Sequence, residues 1–170
     1  YVITDEKPEI VAIFGGDHVY KMDYRLMIEH HIAKKAAATV AAIPVPKEQA
    51  TQFGVIEADA EGRIVGFHEK VSDPPEMPGR PGMCLASMGN YIFQTELLID
   101  ELDRDAGLED SKHDFGHDIL PRMVREGQGV YVYDFNTNVV PGEDPRGLGY
   151  WRDIGTIEAY WEAQMDLIEI

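Results

Sequence analysis

The sequence predicts an α/β domain built on a mixed, mostly parallel sheet with flanking helices. Two observations carry this expectation. Short apolar runs of strand length (Glu9 to Phe14, Thr39 to Ile43, Leu85 to Phe93, Val130 to Phe135) alternate with stretches whose apolar residues recur at helical spacing. One hairpin pattern is embedded among them, and such alternation marks the α/β class. The 170 residues, 44% hydrophobic and 27% charged, suffice for one packed core.

The run Glu9 to Phe14 has the length and side chains of a buried strand and ends in Gly15-Gly16-Asp17-His18. Asp23 is placed to cap a helix with Tyr24, Met27, Ile28, His31 and Ile32 at helical spacing. Thr39 to Ile43 reads as a strand stopped by Pro44 and Pro46. Phe53 to Glu57 and Arg63 to His68 read as a hairpin around the turn residues Asp59-Ala60-Glu61-Gly62. Ser72 to Met83, rich in proline and glycine, is a loop. Leu85 to Phe93 is a strand, and Thr95 is a candidate cap for the helix that follows. Asp114 caps a further helix with Phe115, Ile119, Leu120, Met123 and Val124 on one face and Gly127 beyond its end. Val130 to Phe135 is a strand, Asn136 to Gly149 a polar loop, and a last helix starts near Thr156 with Ile157, Tyr160, Trp161, Gln164 and Ile168 at helical spacing.

Composition excludes several partners. Fifteen basic residues face 31 acidic ones, a formal net charge of −16, so nucleic acid and anionic membranes, which need basic patches, are disfavoured. The longest apolar stretch, Ala36 to Ile43, is too short to span a bilayer. Cys84 is the only cysteine, which fits a reducing cytoplasm and reads as a small hydrophobe. No serine or cysteine nucleophile stands in a recognisable setting, and both Gly-x-Gly-x-x-Gly and a Walker-type loop are absent.

The candidates for chemistry sit at loop edges, each with two readings. Asp17, at the C-terminal edge of a buried strand where open α/β sheets bind ligands, is a metal ligand or a turn cap. Asp153 is its magnesium partner or a helix cap. Glu69-Lys70 is a functional pair or a solvated one. Ser87 and Tyr91 share a strand; Ser87 is a pocket residue or a hydrogen-bonded core serine. Asp114 is a cap, a ligand contact or both, and Phe115 is a core anchor or a stacking ring. Trp151 is a sugar platform or a packing indole. His18, His30, His31, His68, His113 and His117 show no metal-ligand spacing, and His30-His31 is expected to straddle a helix surface.

Taken together, Gly15-Gly16-Asp17-His18-Val19-Tyr20-Lys21, Phe53-Gly54-Val55, Phe67-His68-Glu69-Lys70, Leu85-Ala86-Ser87-Met88-Gly89-Asn90-Tyr91-Ile92-Phe93, His113-Asp114-Phe115-Gly116 and Tyr150-Trp151-Arg152-Asp153-Ile154-Gly155-Thr156 resemble the bacterial glucose-1-phosphate adenylyltransferases, also called ADP-glucose pyrophosphorylases, within the sugar nucleotidyltransferases. Each segment is weakly specific; six in the family's order are strongly so. The resemblance implies a Rossmann-like nucleotidyltransferase fold and transfer of a nucleotidyl group from ATP to glucose 1-phosphate, giving ADP-glucose and pyrophosphate for glycogen (α-glucan) synthesis. It implies that Asp17 and Asp153 hold Mg2+, that Lys70 binds the sugar phosphate, and that Gly54, Glu69, Ser87, Tyr91, Asp114, Phe115 and Trp151 line the sugar pocket. Asp17, Lys70 and Asp153 are the implied catalytic residues.

The resemblance also implies a homo-oligomeric cytoplasmic parent enzyme. It identifies residues 1–170 as part of a nucleotidyltransferase catalytic domain, incomplete at its N-terminus, without the glycine-rich nucleotide loop and without the C-terminal β-helix, and therefore inactive in isolation. His68 and Val71 depart from the family pattern around Glu69-Lys70, where a proline often follows the lysine. Two alternatives stand beside this reading. One is a pyrophosphorylase using UTP or dTTP; the other is a non-catalytic regulatory or sugar-binding subunit.

Overall fold

A computed structural model describes residues 2–142 and 148–169. The chain opens with a short helix, α1 (Val2–Glu6), and strand β1 (Ile10–Ile13), followed by β2 (His18–Tyr20) and α2 (Tyr24–Lys34). Next come β3 (Ala38–Pro46), α3 (Lys47–Ala50) and the hairpin β4 (Gly54–Ala58) and β5 (Ile64–Glu69). The long β6 (Met83–Gln94) leads to α4 (Thr95–Ala106), a π turn (Phe115–Ile119) and α5 (Leu120–Arg125). β7 (Val130–Asp134), a 3-10 turn (Phe135–Thr137), β8 (Trp151–Asp153) and α6 (Ile157–Glu169) complete the order.

Six strands form one sheet in the order β5-β4-β6-β3-β7, with β1 also paired to β6. The mixed sheet and its flanking helices match the sequence expectation, but "mostly parallel" needs correcting for the described strands. Of their pairings only β3–β7 is parallel; β1–β6, β3–β6, β4–β5 and β4–β6 are antiparallel. Parallel neighbours need a long crossover. The one between β3 and β7 runs through β4, β5 and β6 and then through helices α4 and α5, whereas β4 and β5 join through the tight turn at Gly62. β2 and β8 form a separate antiparallel ribbon, in which His18 faces Asp153 and Tyr20 faces Trp151.

β6 is the spine. Along it, residues alternate between two cores. Phe93 and Leu85 join Val40, Ile56, Leu98, Ile119 and Met123 on one face; Ile92 and Met88 join Met27, Ala41, Tyr133 and Phe135 on the other. Each fully buried side chain of this size stabilises by about 1.5–3 kcal/mol. The alternation is interrupted once. Where β3 steps from Val40 to Ala42, β6 runs from Tyr91 to Ser87, so Met88, Gly89 and Asn90 bulge out of the ladder, with Gly89 at φ +71°.

Several local expectations hold. Asp23 caps α2 by accepting from Arg25 N at 3.0 Å. Asp114 caps the π turn by accepting from His117 N at 2.7 Å. Cys84 is buried under the proline-rich loop, its Sγ near the Pro74 carbonyl. Others are corrected. β3 continues through both prolines, because β7 accompanies it only to Ala42 and the missing N–H groups of Pro44 and Pro46 leave no ladder bond unmade on that free edge. Thr95 does not cap α4; it is the first helical residue, and its buried hydroxyl has no hydrogen-bond partner among the described residues. His31 does not straddle the surface. It is fully buried, with Nδ1 bonded to the Thr39 hydroxyl at 2.8 Å. Part of the Asn136 to Gly149 loop, residues 143–147, lies outside the described residues.

Candidate active site

The sequence candidates converge at one end of the sheet. β4 and β5 set Gly54 opposite Glu69, and a Cβ on Gly54 would stand 2.8 Å from Glu69 Oε2, so the absence of a side chain there makes room for the carboxylate. Lys70 leaves the strand at φ +49°, its N–H donates to the Phe53 carbonyl at 3.2 Å, and its Nζ lies 3.8 Å from Glu69 Oε1. Both side chains of this pair are more than half exposed, open to a ligand.

Tyr91 stands at the centre. Burial pushes its phenol up from the ordinary value; the carboxylates of Asp114 and Glu69 push the same way, while the neighbouring Ser87 hydroxyl opposes. The phenol therefore keeps its proton at neutral pH and can donate it in a hydrogen bond. That balance also puts Ser87, Glu69 and Asp114 within electrostatic reach of the Tyr91 phenol, although the four residues come from three separate segments. Gly116 lies between the Asp114 Oδ1 atom and the Tyr91 hydroxyl, with both within 3.9 Å of where its Cβ would be. The Phe115 ring packs 5.6 Å from Tyr91 and 5.5 Å from Phe93, so it is a core anchor whose edge reaches the site.

The β2–β8 ribbon brings in the other half. Asp17 immediately precedes His18, whose partner across the ribbon is Asp153, so the two aspartates lie at the same end of the ribbon. Asp17 is 80% exposed. Asp153 does not cap α6; it accepts from Gly155 N at 3.0 Å, and Thr156 Oγ1 takes the capping bond from Ala159 N. Trp151 packs edge-on against His18 at 5.3 Å and Phe53 at 5.7 Å, which ties the ribbon to the mouth of the β4–β5 hairpin.

Three residues bind these parts together without having signalled it in sequence. His18 Nδ1 meets the Met88 carbonyl at 3.0 Å, and Asn90 Oδ1 accepts from Gly15 N at 3.2 Å; both contacts use the β6 bulge. Phe53 links Lys70 to Trp151. The bulge itself has one mark in the sequence, Gly89 inside a strand pattern, but what packs against it is not marked there. A groove of about 1100 Å³ lies toward the other end of β6, beside Ile10, Gln94 and Thr95, and none of the candidate residues lines it.

No group of three or more His, Cys, Asp or Glu side chains assembles as a metal site among the described residues. Two exposed carboxylates and no soft ligand fit a hard divalent cation that takes its remaining oxygens from water and phosphate. They do not fit a closed structural zinc centre.

A model of the nucleotidyl transferase family matches residues 1–170. The chain belongs to that family. Nucleotidyl transferases generally use a divalent metal, in keeping with the aspartate pair. The chain is 56% identical over 170 residues to a glucose-1-phosphate adenylyltransferase of Anaeromyxobacter dehalogenans, covering 99% of this chain and 41% of the relative. It is 52% identical over 170 residues to that of Thermus thermophilus (100% and 41%) and 57% identical over 167 residues to that of Aliivibrio fischeri (98% and 40%). The chain thus spans about two-fifths of the length of these curated relatives. Among its described residues no helix is long and apolar enough to cross a membrane.

Proposed function

We propose that this chain carries the sugar side and the metal carboxylates of an enzyme that makes ADP-glucose and pyrophosphate from ATP and glucose 1-phosphate. The observation that carries this reading is the convergence of Glu69, Ser87 and Asp114 on the part-buried Tyr91 phenol, with Lys70 beside Glu69, in a chain more than half identical to adenylyltransferases of that name. In this reading the 170 residues are part of a catalytic domain, and the glycine-rich loop that holds ATP belongs to another part of the full-length protein. A homo-oligomeric enzyme working in the cytoplasm on α-glucan precursors is the setting that fits.

The chemistry is an in-line displacement at the α-phosphorus. An oxygen of the sugar phosphate forms the new bond, and the bond to pyrophosphate breaks. Positioning and charge neutralisation accomplish most of it. The Lys70 ammonium, a compact cation on a flexible stem, neutralises and orients the sugar phosphate. Glu69 and Asp114 accept hydrogen bonds from sugar hydroxyls, and the protonated Tyr91 donates one. The Trp151 indole and the Phe115 edge give the sugar an apolar surface. Asp17 and Asp153 are the groups that would hold Mg2+, which when bound supplies charge stabilisation at the reacting phosphate oxygens.

The test is pyrophosphate release by the full-length protein with glucose 1-phosphate and ATP, UTP or dTTP in turn, with and without Mg2+. Turnover selective for ATP and dependent on Mg2+ is expected, and residues 1–170 alone should release little or none. Selectivity for UTP or dTTP would replace the adenylyl assignment. Absence of turnover with all three would point to a regulatory or sugar-binding subunit.

A further inference from the structure

The segment 111–118 is held in place by more side-chain bonds than a surface turn needs, and they lead to a buried charge cluster that the reaction does not use. Arg122 on α5 donates from Nε to Glu101 and from Nη1 to Asp105, each at 2.9 Å, and all three side chains are less than a tenth exposed. Gln128 donates to the second oxygen of Glu101 at 2.9 Å. Asp105 has capacity left over, and it is taken up by the turn. Ser111 Oγ donates to it at 2.9 Å and His113 Nδ1 lies 2.9 Å from its Oδ2. An ionised carboxylate only accepts, so His113 Nδ1 carries the proton. The imidazole of His113, Arg122 and Ser111 together hold the Asp105 carboxyl down at about 2, fully charged.

The backbone shows what this anchor does. His113 sits at φ +57°, a left-handed bend uncommon for any residue with a side chain and adopted more readily by histidine, asparagine and aspartate than by alanine. Its N–H donates to the Ser111 hydroxyl at 3.0 Å, and the next residue is Asp114. Asp118 accepts from the N–H groups of Lys112 and Asp114, and Asp114 in turn accepts from His117. The bend thus sets where the Asp114 carboxylate stands relative to Tyr91. We propose that His113 is a positioning residue: anchored on the buried Asp105, its side chain locks the left-handed bend that presents Asp114 to the sugar. This rests on the placing of Asp114 in the sugar pocket above. It adds a residue that touches no substrate and whose effect falls on the sugar phosphate rather than the nucleotide.

The test uses His113→Ala and His113→Asn in the full-length protein. His113 is 59% exposed, so neither change opens a cavity in the core. His113→Ala should raise the KM for glucose 1-phosphate about tenfold while leaving the KM for ATP unchanged, with a modest fall in unfolding temperature from the lost bond to Asp105 and from alanine in a left-handed bend. Asparagine places a donor where Nδ1 stands and tolerates a left-handed bend, so His113→Asn should recover most of the loss. Amide exchange at Asp114 to His117 should quicken in the alanine variant and return toward wild type in the asparagine one; this readout needs no turnover. An unchanged KM for glucose 1-phosphate, equal shifts in both KM values, or unchanged exchange would overturn the proposal. Asp114→Ala separates the two failures. If it raises the KM for glucose 1-phosphate while His113→Ala does not, only the positioning role falls; if it leaves that KM unchanged, the sugar-pocket assignment falls as well.

Discussion

Gly54→Ala tests the pocket at its tightest point. The added Cβ would lie 2.8 Å from Glu69 Oε2, and the nearest backbone or core atom is not in the way. The clash therefore falls on the end of an exposed side chain, which must retreat to at least the 3.4 Å of ordinary contact, about 0.6 Å further out. The strand itself gains, since alanine loses less chain entropy than glycine, by up to about 1 kcal/mol. Function should move the other way. Loosening one charge-assisted hydrogen bond to a sugar hydroxyl costs about 1.5–3 kcal/mol, or roughly ten- to a hundredfold in KM for glucose 1-phosphate. The assay is steady-state pyrophosphate release with glucose 1-phosphate varied at saturating ATP, beside a thermal melt. Weaker sugar-phosphate binding with unchanged or raised stability is expected. A variant with wild-type KM would show that the Glu69 carboxylate does not contact the sugar. A variant destabilised by several kcal/mol would show that the room beside Gly54 serves packing.

Three further outcomes follow from the same geometry. Arg122→Ala should destabilise by about 3–5 kcal/mol in urea unfolding, because it strands the buried carboxylates of Glu101 and Asp105 without their cation. Asp105 carries a pH signature. Its folded value of about 2 is depressed below the ordinary value of about 4, so its contribution is fully present above the latter and is lost as pH falls through the former. The stability gap between wild type and Asp105→Asn should be flat at neutral pH and should shrink between about pH 4 and pH 2; a gap that widens on acidification would contradict the anchor. Asp17→Asn and Asp153→Asn should each lower turnover by two or more orders of magnitude and raise the Mg2+ concentration needed for half-maximal rate. Retention of wild-type Mg2+ dependence by either variant would remove it from the metal pair.

Much of this was legible because local chemistry decided it. The Asp23 and Asp114 caps, the β4–β5 hairpin and the burial of Cys84 follow from residue type and short-range spacing, and the structure has them. The site residues could be picked out one by one at loop edges. What sequence did not show depends on what lies across a ladder. Pro44 and Pro46 read as a stop, yet they continue β3 because no neighbour lies on their free edge. His31 looked like a surface residue beside His30, yet Thr39 from another strand gives it a buried partner. β2 and β8, three residues each, carry no periodicity of their own and exist only as each other's partner. The same holds for the roles of His18, Asn90 and Phe53, which arise where the ribbon meets the β6 bulge.

That bulge divides the molecule mechanically. The sugar-side residues Ser87 and Tyr91 are set in a strand bonded on both edges, so they share the rigidity of the sheet. The aspartate ribbon pairs with no strand of that sheet; it is seated on it through His18 against Met88, Gly15 against Asn90, and the packing of Tyr20 and Trp151 in the cluster of Met88 and Ile92. One half of the centre is thus built into the sheet's hydrogen-bond ladder, and the other rests on it through side chains. Under the proposed reaction, strain that reaches the centre would therefore show first in the spacing of the aspartates from Lys70 and last in the spacing of Ser87 and Tyr91.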